Sequence, residues 1–84
     1  MKHKEWLGKR ELIEQLLKQA GLTDTKEAGI RKQMMRCVIW CKYVEMMTIE
    51  ETYARIHFKF GIDISVTTYY RLLNKAIELM EENS

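Results

Sequence analysis

Apolar residues recur along this chain with the spacing of helices. Leu12, Leu16 and Ala20 follow one another at i, i+4 and i+8, with Ile13 and Leu17 widening the stripe, which aligns them on one face of an α-helix. This first helix is predicted to begin at residue 4 or 9 and to end at Ala20. Gly21 and Leu22 then match a Schellman end, in which a left-handed glycine lets the next apolar residue fold back over the last turn. Ile30, Met34, Cys37, Cys41 and Val44 alternate steps of four and three in a long second helix. Thr23 or Asp24 opens it, with Asp24 and Glu27 at capping-box spacing, and it closes near Glu45. Met35, Val38, Ile39 and Trp40 spread apolar surface over its other sides, so this helix is either central in the fold or shared with a second subunit.

The C-terminal half repeats the logic in shorter elements. Thr48 and Glu51 have capping-box spacing, and Ile49, Tyr53, Ile56 and Phe60 trace one face of a third helix that Gly61 ends. Ser65 caps a fourth helix that reaches about Glu82, with Ile64 and Tyr69 at the spacing of a hydrophobic staple. Tyr69, Leu73, Ala76, Ile77 and Met80 form its inward face, and residues 81 to 84 read as a frayed tail.

Composition narrows the class. Four glycines and no proline among 84 residues argue against turn-rich sandwiches and barrels. The expected fold is all-α: a single small four-helix domain over residues 1 to 84, too short for a multidomain enzyme. The longest unbroken apolar run, CVIWC at 37 to 41, is far below a bilayer span. The N-terminus also lacks the apolar core of a signal peptide, so a cytoplasmic protein without a membrane partner is expected. Cys37 and Cys41 share one helix face as reduced thiols and read as core packing. Only His3 and His57, both distant in sequence, could join them as soft ligands, so no metal and no cofactor is expected. With no Gly-rich phosphate loop, nucleophile elbow or acid-base cluster, the chain is not expected to be an enzyme.

The charges say more than their sum of +2. Between Glu27 and Glu45 the charged residues are Arg31, Lys32, Arg36 and Lys42; between Glu51 and Asp63, Arg55 and Lys59; between Asp63 and Glu78, Arg71 and Lys75. Three acid-free stretches on successive helices predict one basic surface that neutralises phosphates through Arg31, Lys32, Arg36, Arg55, Lys59, Arg71 and Lys75. The competing reading is a set of ordinary solvated faces.

A Thr-capped helix, a Gly-Ile turn and the serine-capped segment SVTTYYRLL at 65 to 73 resemble the helix-turn-helix of bacterial and phage regulators. In that motif the second helix enters the major groove with small or polar residues leading, a task that suits Thr67 and Thr68. The continuation RLLNKAIE at 71 to 78 resembles phage late-transcription activators of the ArpU and RinA kind, which are similar to region 4 of sigma factors. The resemblance covers about residues 47 to 82, with the helix-turn-helix at about 48 to 82 and a recognition helix at about 65 to 80. It implies sequence-specific duplex DNA binding and transcription regulation of phage or mobile-element type. It also implies Ser65 on a backbone phosphate, Val66, Thr67 and Tyr70 toward base edges, and Arg71, Asn74 and Lys75 near the backbone.

One departure from the pattern is plain. Ala54 and Ser65 are eleven positions apart, so the stretch HFKFGIDI must either lengthen the first helix of the motif or bulge its turn. Further expected partners are a second copy of the chain, through helix two, and RNA polymerase or another protein. The rival readings are a helical protein-interaction module, such as a small inhibitor or adaptor, and a small phage DNA-packaging subunit.

Overall fold

The first helix forms where its stripe predicts and stops as its C-terminal residues dictate. In the computed structural model, which describes residues 2–83, α1 spans Arg10–Gln19. Gly21 adopts φ +75°, its N–H donates to the Lys18 carbonyl, and the Leu22 N–H donates to the Leu17 carbonyl at 2.8 Å. These are the two bonds of a Schellman end, and they bury Leu22. Of the two predicted starts the later one holds, with Lys9 as the N-cap and its carbonyl accepting from the Ile13 N–H at 3.0 Å. Before it the chain makes a 3-10 turn at His3–Glu5, buries Trp6, and donates the Gly8 N–H to the Tyr43 carbonyl at 2.8 Å. The N-terminal segment thus docks on the far end of the second helix rather than extending the first.

That second helix, α2, spans Gly29–Ile39 and continues into a π-helical turn at Trp40–Val44. The predicted start at Thr23 or Asp24 is corrected. A separate 3-10 turn occupies Lys26–Ala28, and Gly29, at φ +75° and ψ 158°, breaks the path between the two. A glycine reaches that backbone conformation without the Cβ clash that other residues meet, so Gly29 sets the boundary. The Asp24–Glu27 capping box does not form: the helix that it would cap begins later, and Asp24 turns to Lys59. At the other end the Glu45 N–H reaches the Trp40 carbonyl and the Met47 N–H reaches the Cys41 carbonyl at 2.8 Å. The chain reverses there with Met46 in the left-handed region, φ +54°.

The third helix, α3, spans Ile49–Phe60, and the fourth, α4, spans Val66–Glu82. Both predicted caps are present. Thr48 accepts from the Glu51 N–H while Glu51 accepts from the Thr48 N–H, and Ser65 accepts from the Thr68 N–H. The eleven-residue spacing from Ala54 to Ser65 is absorbed by length: α3 continues to Phe60, and five residues, 61 to 65, make the connection. Glu81 and Glu82 belong to α4, and Glu81 accepts from the His3 backbone N–H at 3.3 Å, so this part of the expected tail is helical and held. Ser84 lies outside the described residues.

The helices share one core. α2 packs chiefly along α4 and also meets α3, while α1 lies against the π turn and α4. Met34, Met35, Val38, Ile39 and Cys41 join Tyr69, Leu72, Leu73, Ala76 and Met80 with the buried face of α1. The apolar excess of α2, which left a second subunit open, is covered within the chain: of its predicted apolar positions only Ile30 is exposed, at 54%. The central alternative therefore describes this helix. Among the described residues no helix is long and apolar enough to cross a membrane.

Candidate nucleic-acid interface and a basic cleft

The predicted recognition residues share the outer face of α4. Tyr69, Leu72, Leu73, Ala76 and Met80 point into the core, so the helical period turns Val66, Thr67, Tyr70, Arg71, Asn74 and Lys75 outward, and all six are exposed. No carboxylate interrupts this face before Glu78. Lys75 reaches Glu78 at 3.4 Å, whereas Arg71 has no carboxylate partner and the Thr67 and Asn74 side chains make no hydrogen bond among the described residues. Their donors and acceptors are available to an outside ligand. Ser65 is committed differently: its hydroxyl accepts from the Thr68 N–H and donates to the Thr68 hydroxyl at 3.1 Å, so a phosphate at Ser65 competes with the cap.

The remaining predicted phosphate contacts do not gather on this helix. Arg31 and Lys32 are exposed near the start of α2 and have no carboxylate partner among the described residues. Arg36, Arg55 and Lys59 line a cleft between α1, α2 and α3, to which α4 contributes nothing. Arg55 holds Glu45 and Lys59 holds Asp24, each at 3.0 Å. The three basic stretches thus separate into the outer face of α4, the N-terminal end of α2, and this cleft. His57 is engaged as well, its Nδ1 lying 2.8 Å from Asp63 in the connection to α4.

The cleft contains what sequence reading missed. Its volume is about 290 Å³, and Arg10, Glu14 and Asp24 join the lining with Trp40, Cys37 and Cys41. Arg10 and Arg36 lie over the Trp40 ring, 5.2 and 5.0 Å from its centre. Such stacking orients a guanidinium while leaving its edge N–H groups free. The thiols of Cys37 and Cys41 are 4.0 Å apart. The Cys41 thiol stabilises a Cys37 thiolate by donating to it, and Lys59 and Arg55 add their field against the opposing effect of burial, which brings the Cys37 thiol down to about 7. The same hydrogen bond, with burial, pushes the Cys41 thiol up. Among the described residues no group of three or more His, Cys, Asp or Glu side chains gathers as a metal would require.

Phe58 is the other residue that sequence reading passed over. It is 89% exposed on α3, the largest exposure among the big apolar side chains of the described residues. Its signal was present, because Phe58 falls off the stripe of Ile49, Tyr53, Ile56 and Phe60 that faces inward. Comparison with protein-family models, with curated proteins and with solved structures finds no match to the chain.

Proposed function

We propose that this protein binds duplex DNA through α3 and α4 as a helix-turn-helix transcription regulator of phage or mobile-element type, with α4 as its recognition helix. One observation carries the reading: the outer face of α4 presents Val66, Thr67, Tyr70, Arg71 and Asn74 together, exposed and free of carboxylates. In the major groove, a threonine hydroxyl or a tyrosine is read against base edges, and Arg71, Asn74 and Lys75 meet the phosphates alongside. Exposed Arg31 and Lys32 add long-range attraction.

Titrating a random duplex pool with the chain at two salt concentrations tests this directly. Affinity falls steeply with salt, and Arg71→Ala reduces the slope of log K against log salt by about 0.9, the loss of one neutralised phosphate. Absent or salt-independent binding would overturn the reading. It would favour a protein-interaction module instead, for which exposed Phe58 is the specific support, since an apolar ring on the surface gains most when a partner covers it.

A further inference from the structure

The geometry points to a second binding site: the cleft between α1, α2 and α3 takes a small molecule carrying a phosphate monoester or an equivalent dianionic group. This inference is independent of DNA binding by α4, which lends no residue to the cleft.

The argument starts from charge. Four cations, Arg10, Arg36, Arg55 and Lys59, line the cleft with two carboxylates, Glu14 and Asp24, while a third, Glu45 outside the lining, holds Arg55 at 3.0 Å. The carboxylates are already engaged, Asp24 by Lys59 at 3.0 Å and Glu14 by Arg10 in a looser 3.9 Å contact. Arg36 alone of the four has no carboxylate partner among the described residues, and it is half-buried and held over Trp40. A guanidinium so oriented keeps its forked donors for an incoming oxyanion, and phosphate is the group that a planar fork meets in bidentate fashion.

A second observation comes from the floor. The Cys41 thiol chiefly, with Lys59 and Arg55 beside it, favours the anionic form of Cys37, so the cations of the cleft already act on a negative charge at its floor. Size then selects the kind of ligand. The volume of about 290 Å³ lies at the lower end of small-molecule pockets, enough for a phosphate with a modest organic part.

Calorimetric titration of the full chain, without DNA, is the test. The probes are inorganic phosphate, glycerol phosphate and adenosine monophosphate, with adenosine as the uncharged control. The phosphate esters bind at least about tenfold more tightly than adenosine, and Arg36→Gln weakens them by about tenfold or more. Arg71→Ala leaves them unchanged, and Asp24→Asn, which removes a carboxylate and releases Lys59, tightens them. A measurement on the unaltered chain stands beside the variants: saturating phosphate ester slows alkylation of Cys37 by iodoacetamide, because the bound dianion opposes the thiolate and covers it. The proposal is overturned by esters that bind no better than adenosine, or by an unchanged affinity in Arg36→Gln. It is also overturned if Arg36→Gln weakens duplex binding while no free ester binds, an outcome that assigns the cleft to DNA phosphates.

Discussion

Tyr69 and Tyr70 stand edge to face with ring centres 5.0 Å apart and planes at 84°, yet Tyr69 is buried and Tyr70 is 45% exposed. Two neighbouring tyrosines therefore separate packing from recognition. Tyr69 also meets the Tyr53 ring of α3 at 6.0 Å, so it joins the two C-terminal helices. Tyr69→Ala is expected to cost about 3 to 5 kcal/mol, as for other large buried rings. Tyr70→Ala, which removes an outer ring, is expected to cost about 1 kcal/mol or less. The same Tyr70→Ala variant, with Thr67→Ala, narrows the difference between a selected site and scrambled DNA by about 1 to 3 kcal/mol. Melting curves and competition binding on the three variants decide the matter. Full selectivity in Tyr70→Ala and Thr67→Ala would mean that another face reads the DNA.

The start of α3 responds to one substitution and to pH. Thr48 and Glu51 cap each other's N–H groups, at 3.2 and 2.9 Å. Thr48→Ala is expected to cost about 0.5 to 2 kcal/mol, with Thr48→Ser close to the parent. The N–H and hydroxyl of Thr48 hold the Glu51 carboxyl below its usual range. Because the folded value is the lower one, the stabilisation is fully present above the unfolded value of about 4.3 and is lost as pH falls through the folded value. Glu81, lowered by its hydrogen bonds to His3, acts in the same direction. Melting temperature measured from about pH 6 to about pH 3 falls more steeply in the parent than in Glu51→Gln. Equal slopes would show that the capping carboxylate does not contribute.

Cys37 is expected to be the more reactive of the two thiols. Its alkylation rate is expected to rise with a midpoint near pH 7, while Cys41 stays unreacted across the neutral range. Cys41→Ala removes the thiol that donates to the Cys37 thiolate and moves the midpoint upward, whereas Cys41→Ser keeps a donor and moves it less. Mass spectrometry of the labelled chain across pH reads both residues at once. A midpoint at the ordinary thiol value of about 8.5 would remove the proposed interaction between them.

Trp6 anchors the N-terminal segment at a cost that can be measured. The ring is fully buried and meets Tyr43 edge to face at 5.6 Å, but its indole N–H finds no acceptor among the described residues. Trp6→Ala is expected to cost about 3 to 5 kcal/mol. Trp6→Phe loses part of the ring but also removes the unsatisfied donor, worth about 1 to 3 kcal/mol. The net change is then expected to be within about 1 kcal/mol, as denaturant unfolding of both variants checks. A phenylalanine variant as damaged as the alanine one sinks this account.

Legibility in the sequence followed the range of the interaction. The caps at Thr48 and Ser65, the Schellman end at Gly21 and the inward stripe of α4 depend on residues within about five positions of each other, so their chemistry is written side by side. The Asp24–Glu27 box carried the same local signature and failed. Gly29 delayed the helix, and Lys59, thirty-five positions away, drew Asp24 into an ion pair at 3.0 Å. A local motif holds only when no distant partner competes for its side chain.

The sequence by itself determined an all-helical chain, the boundaries of α3 and α4, the stop of α1, and which residues of α4 turn outward, because helical period and end chemistry act over one or two turns. Only the tertiary structure decided the rest. It covered the apolar circumference of α2 with α4 and α3. It drew Arg10, Arg36, Arg55 and Lys59 around two thiols 4.0 Å apart while Arg71 stayed on another face. Residues from 10 to 59 meet in that cleft through the packing of three helices, and Lys59 and Arg55 add to the Cys41 hydrogen bond in lowering the Cys37 thiol only once they have been brought beside it.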